Sequence, residues 1–143
     1  MDACCLNRLT DDQSQPRVRE EAGAMEQILR MVQQDLATWV SSSILEVEIA
    51  RNPDEERRND VNSLLMFANE VVRPQTEDAD RAAKLQDLGF SPFDALHLAC
   101  AERAEVDVFL TTDDGLLSRA RRYKGALRIR AENPLSWYGE LEK

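Results

Sequence analysis

Four acidic side chains stand where solvent alone does not explain them. Asp94 lies between Phe93 and Ala95-Leu96 in the first turn of an apolar helical pattern. Asp113 directly follows the apolar run Val108-Phe109-Leu110 and its Thr-Thr tail, Glu48 stands between Val47 and Ile49, and Asp2 precedes Ala-Cys-Cys-Leu. An isolated carboxylate at a core edge is costly. Several together repel one another, and a divalent cation resolves that conflict. Hard oxygen ligands without His or Cys partners suit Mg²⁺ or Mn²⁺ rather than zinc. Such a set can generate a hydroxide and stabilise an in-line displacement at phosphorus, with two ions about 3.5–4 Å apart where both are used. The chemistry to expect is metal-dependent phosphodiester hydrolysis.

Each of these residues also has a plainer reading, and only their joint placement favours chemistry. Asp94 and Asp113 could be helix N-caps, Glu48 a solvated helix residue, and Asp2 an exposed chain end. His97, the single histidine, falls one helical turn after Asp94 and within its reach. It suits a general base or an orienting partner, although a packed or hydrogen-bonded histidine at the core edge is the preferred reading. Trp39, Trp137 and Tyr138 are expected to pack. Most other acids, among them Glu20, Glu21, Asp54, Glu55, Glu56, Glu77, Asp78 and Asp80, are assigned to helix first turns or polar faces.

The elements that must position these groups follow from periodicity. Val18, Ala22, Met25, Ile28, Leu29 and Val32 recur at helical spacing from Pro16 to about Gln34; Pro16 suits the first turn and Ser14 the cap. Thr38 to Ser41 reads as a short strand, and Ser42 or Ser43 caps a helix ending near Asn52-Pro53. A helix opens at Pro53-Asp54-Glu55-Glu56, with acids toward the positive end of its dipole, and Val71-Val72-Arg73-Pro74 ends it as a short strand or an extended link. Another opens at Thr76 and closes at Gly89. Ser91-Pro92 starts the helix that carries Asp94 and runs to about Ala104. Val106 to Thr111 reads as a buried strand, Asp113 or Asp114 begins a helix through Arg121, and Leu127 to Arg130 alternates as a final strand before a short segment opening at Asn133-Pro134. Helices alternating with short strands predict one α/β domain over 1–143 with a mostly parallel sheet, whose ligands gather at the strands' carboxyl ends.

Composition fits this reading. A chain of 143 residues, 43% hydrophobic and 31% charged, has the make-up of one globular domain. No apolar run approaches the roughly 20 residues that span a membrane, and no secretory leader opens the chain. Cys4, Cys5 and Cys100 are odd in number and lack zinc spacing, so reduced thiols and a cytoplasmic location are expected. The net charge of −9 opposes a polyanionic partner. Its distribution softens that objection, because Arg119, Arg121, Arg122, Lys124, Arg128 and Arg130 are concentrated in one short segment that could guide RNA. A phosphate-signalling domain with an acidic Mg²⁺ pocket is disfavoured, since no paired acids follow a first strand.

The segment Ser91-Pro92-Phe93-Asp94-Ala95-Leu96-His97-Leu98-Ala99 resembles the D-A-L-H-L-A helix of the PIN-domain family. Phe109-Leu110-Thr111-Thr112-Asp113 is similar to that family's strand ending in T-x-D. Ser42 to Ile49 is similar to its S-x-x-x-x-x-E-L/I stretch, and Asp2 to Asn7 resembles its opening, where Asp ends the first strand. The resemblance implies a three-layer α/β sandwich: a mostly parallel central sheet flanked by helices, with acids at the strands' carboxyl ends. It implies Mg²⁺- or Mn²⁺-dependent cleavage of RNA, with Asp2, Asp94 and Asp113 as metal ligands and Glu48 a direct or water-mediated one. Thr111 would orient a carboxylate or water. Glu46 and Asp114 are the rivals of Glu48 and Asp113, and the motif spacing favours the latter pair. Small members are commonly VapC-type toxins restrained by an antitoxin and often form homodimers. Only Met1 precedes Asp2, so the first strand is expected to be missing or truncated. The competing expectation is a catalytically weak interaction module that binds an antitoxin-like protein.

Overall fold

The longest helix, Pro16–Gln33 (α2), begins where proline's missing N–H costs nothing. It buries Val18, Ala22, Met25, Ile28, Leu29 and Val32 on one face, the set its periodicity predicts. Ser14 does not cap it; Gln15 occupies that position with no side-chain bond. The structure, a computed structural model, describes residues 1–142. A short helix, Ala3–Asn7 (α1), precedes α2. After it come the strand Val40–Ser42 (β1), the helix Ser43–Ala50 (α3), the helix Glu55–Leu64 (α4) with a tighter turn over Leu65–Phe67, and the strand Glu70–Val72 (β2). The helices Thr76–Asp87 (α5) and Pro92–Arg103 (α6), the strand Val108–Leu110 (β3), the helix Asp114–Arg122 (α7), the strand Arg130–Glu132 (β4) and the helix Pro134–Leu141 (α8) complete the chain.

Among the described residues all strand pairing is parallel, as expected, but the strands form two separate pairs rather than one continuous sheet. β1 pairs with β2, Ser41 opposite Val71, and β3 pairs with β4, Phe109 opposite Ala131. Alternation along β3 places Leu110 in one apolar cluster with Leu6, Met25, Leu45 and Val61. Phe109 enters another with Leu85, Phe90, Leu98 and Leu116. Successive strand residues facing opposite sides thus leave helices packed on both faces, the layering the sequence suggests.

Three expected boundaries move, each for a local reason. The last strand starts at Arg130 instead of Leu127 because the Arg128 N–H donates to Glu102 Oε2 at 2.8 Å, which ties that stretch to α6. Leu127 and Ile129 pack against the second cluster there. β3 loses Val106, whose N–H closes α6 on Ala101 O after Glu105 turns to φ 55°. β1 begins at Val40 because Trp39 is stapled to Asn69, its N–H donating to Asn69 Oδ1 at 2.8 Å and its carbonyl accepting the Asn69 N–H. Gly89 does close α5, with φ 101°. The Arg119 guanidinium lies where a Cβ would be, so a side chain is excluded there by both conformation and space.

A cavity of about 400 Å³ reaches between the two strand pairs. Its walls include Val40 and Ser42 of β1, Val108 and Leu110 of β3, Trp39 and Met1. The Asp2 N–H donates to Leu110 O at 3.3 Å, so the start of the chain runs beside the end of β3. α1 follows Asp2 at once.

Candidate functional site

Asp2 caps α1. Its Oδ1 accepts the Cys5 N–H at 3.3 Å, and its Oδ2 accepts the Thr111 hydroxyl at 2.5 Å. It is 1% exposed, which overturns the reading as a solvated chain end. Burial pushes its pKa up to about 6 against the Thr111 hydrogen bond, and the neighbouring Glu48 charge adds to the rise. Thr111 also accepts the Asp113 N–H at 3.1 Å, so one hydroxyl joins the carboxylate at the chain start to the loop after β3.

Glu48 enters from α3. Its Oε1 accepts the Ala3 N–H at 2.7 Å and lies 3.1 Å from His97 Nε2. Burial raises its pKa, but the His97 contact and the Ala3 N–H outweigh that and hold the carboxyl below the usual range. Glu46, two residues back, is exposed. A helical step of about 100° per residue separates their directions. His97 is buried at 3% exposure and pairs with Glu48, where the sequence suggested Asp94. The core-edge reading of this histidine holds, with a different partner.

Asp94 occupies the third position of α6, behind the capping hydroxyl of Ser91, so it is not itself the cap. Burial raises its pKa, Ser91 opposes that, and the charges of Asp113 and Glu48 raise it further. Asp113 caps α7, its Oδ1 accepting the Leu116 N–H at 3.2 Å. Its rival Asp114 is exposed and held by Arg17 at 2.7 Å; that contact keeps its carboxyl below the usual range.

The four acids come from four separate elements, and the charge of each reaches Cys4, an exposed residue whose thiol is pushed up to about 12 by partial desolvation first and then by Asp2, Glu48, Asp113 and Asp94. Among the described residues no three of His, Cys, Asp and Glu close on a single point as a ready metal cage. Magnesium needs no such cage, because it keeps several waters and takes only one or two carboxylates directly. The all-oxygen donor set and its shared negative field fit that ion type.

Two other acids assigned to helix first turns or polar faces are buried, although Asp78 does lie in the first turn of α5. Glu21, at 1% exposure, accepts Arg8 Nε at 2.8 Å and also contacts Arg17 and Asn133. Asp78, at 2% exposure, accepts Arg103 Nε and closes the α5 capping box. The sequence carried one usable signal for Glu21: it follows Val18 by three positions and adjoins Ala22 on the buried face of α2. Of the basic segment, Arg119 donates to Leu88 O at 3.3 Å, and Arg130 pairs with Glu132 and Glu140. Arg121, Arg122 and Lys124 are exposed. No described helix is long and apolar enough to cross a membrane.

A family model described as the PIN domain matches residues 1–123. No match is found among curated proteins or among solved structures.

Proposed function

The chain belongs to the PIN-domain family, in general a family of nucleases that typically use divalent metals, and from this we propose that it is an Mg²⁺- or Mn²⁺-dependent ribonuclease. The observation that carries the reading is the hydrogen-bonded link from Asp2 through Thr111 to Asp113, with Glu48 brought beside Asp2 by its bond to the Ala3 N–H and the charges of Asp113 and Glu48 acting on Asp94. Four like charges from distant parts of the chain are costly to assemble without a cation, and Thr111 and His97 are spent on orienting two of them. A bound divalent ion would supply Lewis acidity toward a phosphodiester and a hydroxide at neutral pH. Asp94 and Asp113 would hold it from α6 and the loop after β3. Asp2, fixed by Thr111, would close the site from below. Glu48 would act directly or through water, with its spare oxygen free because Oε1 is committed to Ala3 and His97. The expected biological setting is the toxin of a toxin–antitoxin pair, in the manner of VapC.

A second reading, an interaction module with little turnover that binds an antitoxin-like protein, draws on Leu36 and Leu141. These apolar side chains are 68% and 48% exposed at the rim of the large cavity. RNA incubated with the purified protein and Mn²⁺ separates the two. Metal-dependent cleavage that disappears in Asp94→Asn supports the nuclease; stable RNA with both proteins favours the module.

A further inference from the structure

A second cavity, of about 320 Å³, opens beside Asp113 and is lined by Asn7, Arg8, Asp11, Arg57 and Thr112 as well. It brings together two guanidinium groups from distant elements, one at the end of α1 and one in the first turn of α4. Both are anchored by the same acid. Arg8 Nη1 donates to Asp11 Oδ2 at 2.9 Å, and Arg57 Nη2 donates to Asp11 Oδ1. Their second anchors differ: Arg8 Nε donates to Glu21, and Arg57 Nε donates to the Thr10 hydroxyl at 3.1 Å.

The outcome is two planar forks held in place, each with an unused nitrogen. Among the described residues Arg8 Nη2 and Arg57 Nη1 donate to no protein acceptor. Fixed guanidinium groups with spare N–H donors match phosphate oxygens, and their immobilisation lowers the ordering cost of binding. Asp11, Glu21 and Asp113 are the local counter-charges, so recognition rests on the two spare, fixed N–H donors rather than on an excess of positive charge.

We propose that this cavity is a phosphate subsite: Arg8 and Arg57 take a backbone phosphate of single-stranded RNA next to the one presented to the acids. The assignment rests on the ribonuclease reading for its ligand. It differs from a path along Arg121, Arg122 and Lys124, which lie at the far end of α7 from Asp113.

The test is binding of a single-stranded RNA oligonucleotide to the Asp94→Asn protein in Mg²⁺ across a salt series, so that cleavage does not interfere. Arg57→Gln in that background is expected to weaken binding about tenfold. It should also lower the slope of log affinity against log salt by about 0.7, the value for one lost phosphate contact on a single strand. Arg57→Lys, which keeps the charge but loses the fork, is expected to weaken binding about threefold with the slope unchanged. It carries the test if circular dichroism shows that the Gln variant is unfolded. Unchanged affinity in the folded variants overturns the subsite, as does a loss found only when Arg121, Arg122 and Lys124 are removed together. Failure of the nuclease reading shows separately, as no RNA cleavage by the unsubstituted chain with Mn²⁺ while Arg57 still governs binding.

Discussion

At the carboxyl end of β3, the polar groups are tied to one another: Thr111 to Asp2, Asp113 to Thr111 and Leu116, Glu48 to Ala3 and His97. Along the flank of the same strand, β3 is hydrogen-bonded to β4 but not to β1, and the space between holds apolar side chains and the Trp39 indole. The Trp39 Nε1 is the one buried side-chain polar atom without a partner among the described residues. The two regions share Met1, Asp2 and β3, so the difference is not one of local disorder. Acids can be positioned by caps and helix ends, which need only a few neighbouring residues. A continuous sheet needs a strand in every place, because each edge demands a partner for its backbone. Asp2, Glu48 and Asp113 are therefore held by polar contacts while the strands beneath them stay in two separate pairs.

The strongest way to break this comparison is to strike the cleft alone. Asp94→Asn and Asp113→Asn are each expected to reduce metal-dependent RNA cleavage by more than the roughly 10–100-fold that loss of a supporting group costs. Circular dichroism should show the fold retained. Asp113→Asn keeps an oxygen for the Leu116 N–H, so the α7 cap survives. Full activity in either variant would remove that residue from the site.

Next in size is the contrast within α3. Glu48→Gln is expected to lower cleavage about 10–100-fold, in the range for a group that orients or supports a ligand. Glu46→Gln, on the exposed side, is expected to leave it unchanged. Equal effects in a cleavage assay would mean that the face of α3 assigned to the site is wrong.

The cavity gives the third contrast. A short apolar strand fused ahead of Met1 is expected to enter between β1 and β3. It would satisfy a few backbone groups at about 1 kcal/mol each and raise Tm by about 4–8 °C for a gain of about 2 kcal/mol. Because Asp2 lies at its end, cleavage should rise with Tm. A fused strand that leaves both unchanged would show that the split sheet is already complete.

The smallest effect is on pH. The folded pKa of Asp2 is raised from 3.8 to about 6. Its protonated form is therefore the one the fold favours. The stability it contributes is fully present below about 3.8 and is lost as pH rises through about 6 in the metal-free protein. Asp2→Asn should remove this loss. Thermal melts of the two proteins should diverge as pH rises from about 4 to about 6, and added Mn²⁺ should narrow the gap by favouring the ionised form. Parallel melts across that window would contradict the burial of Asp2.

Much of the fold was legible because it rests on local patterns: the α2 stripe, the Ser91-Pro92 start of α6, Gly89 at the end of α5. The candidate site was read as four acids out of place in apolar sequence. Their partners were less legible, because hydrogen bonds such as Glu48 to His97 and Asp2 to Thr111 join residues 49 and 109 positions apart. Glu21 was misread for the same reason: its burial depends on Arg8 reaching it from the end of α1, and periodicity reports a residue's own helix only. Asp78 does lie in the first turn of α5, but its burial beside Arg103 of α6 is likewise invisible to periodicity. Leu127 to Arg130 alternates like a strand, yet one bond to Glu102 delays the pairing.

The central claim, that these carboxylates jointly hold a divalent metal, is tested most directly by calorimetric titration of Mn²⁺ into the unsubstituted protein and Asp94→Asn at one pH above 7. The account predicts saturable binding to the former and affinity at least about tenfold weaker in the latter, as removal of one charge from a shared site requires. Equal Mn²⁺ affinity in the two proteins, or none in either, would contradict it.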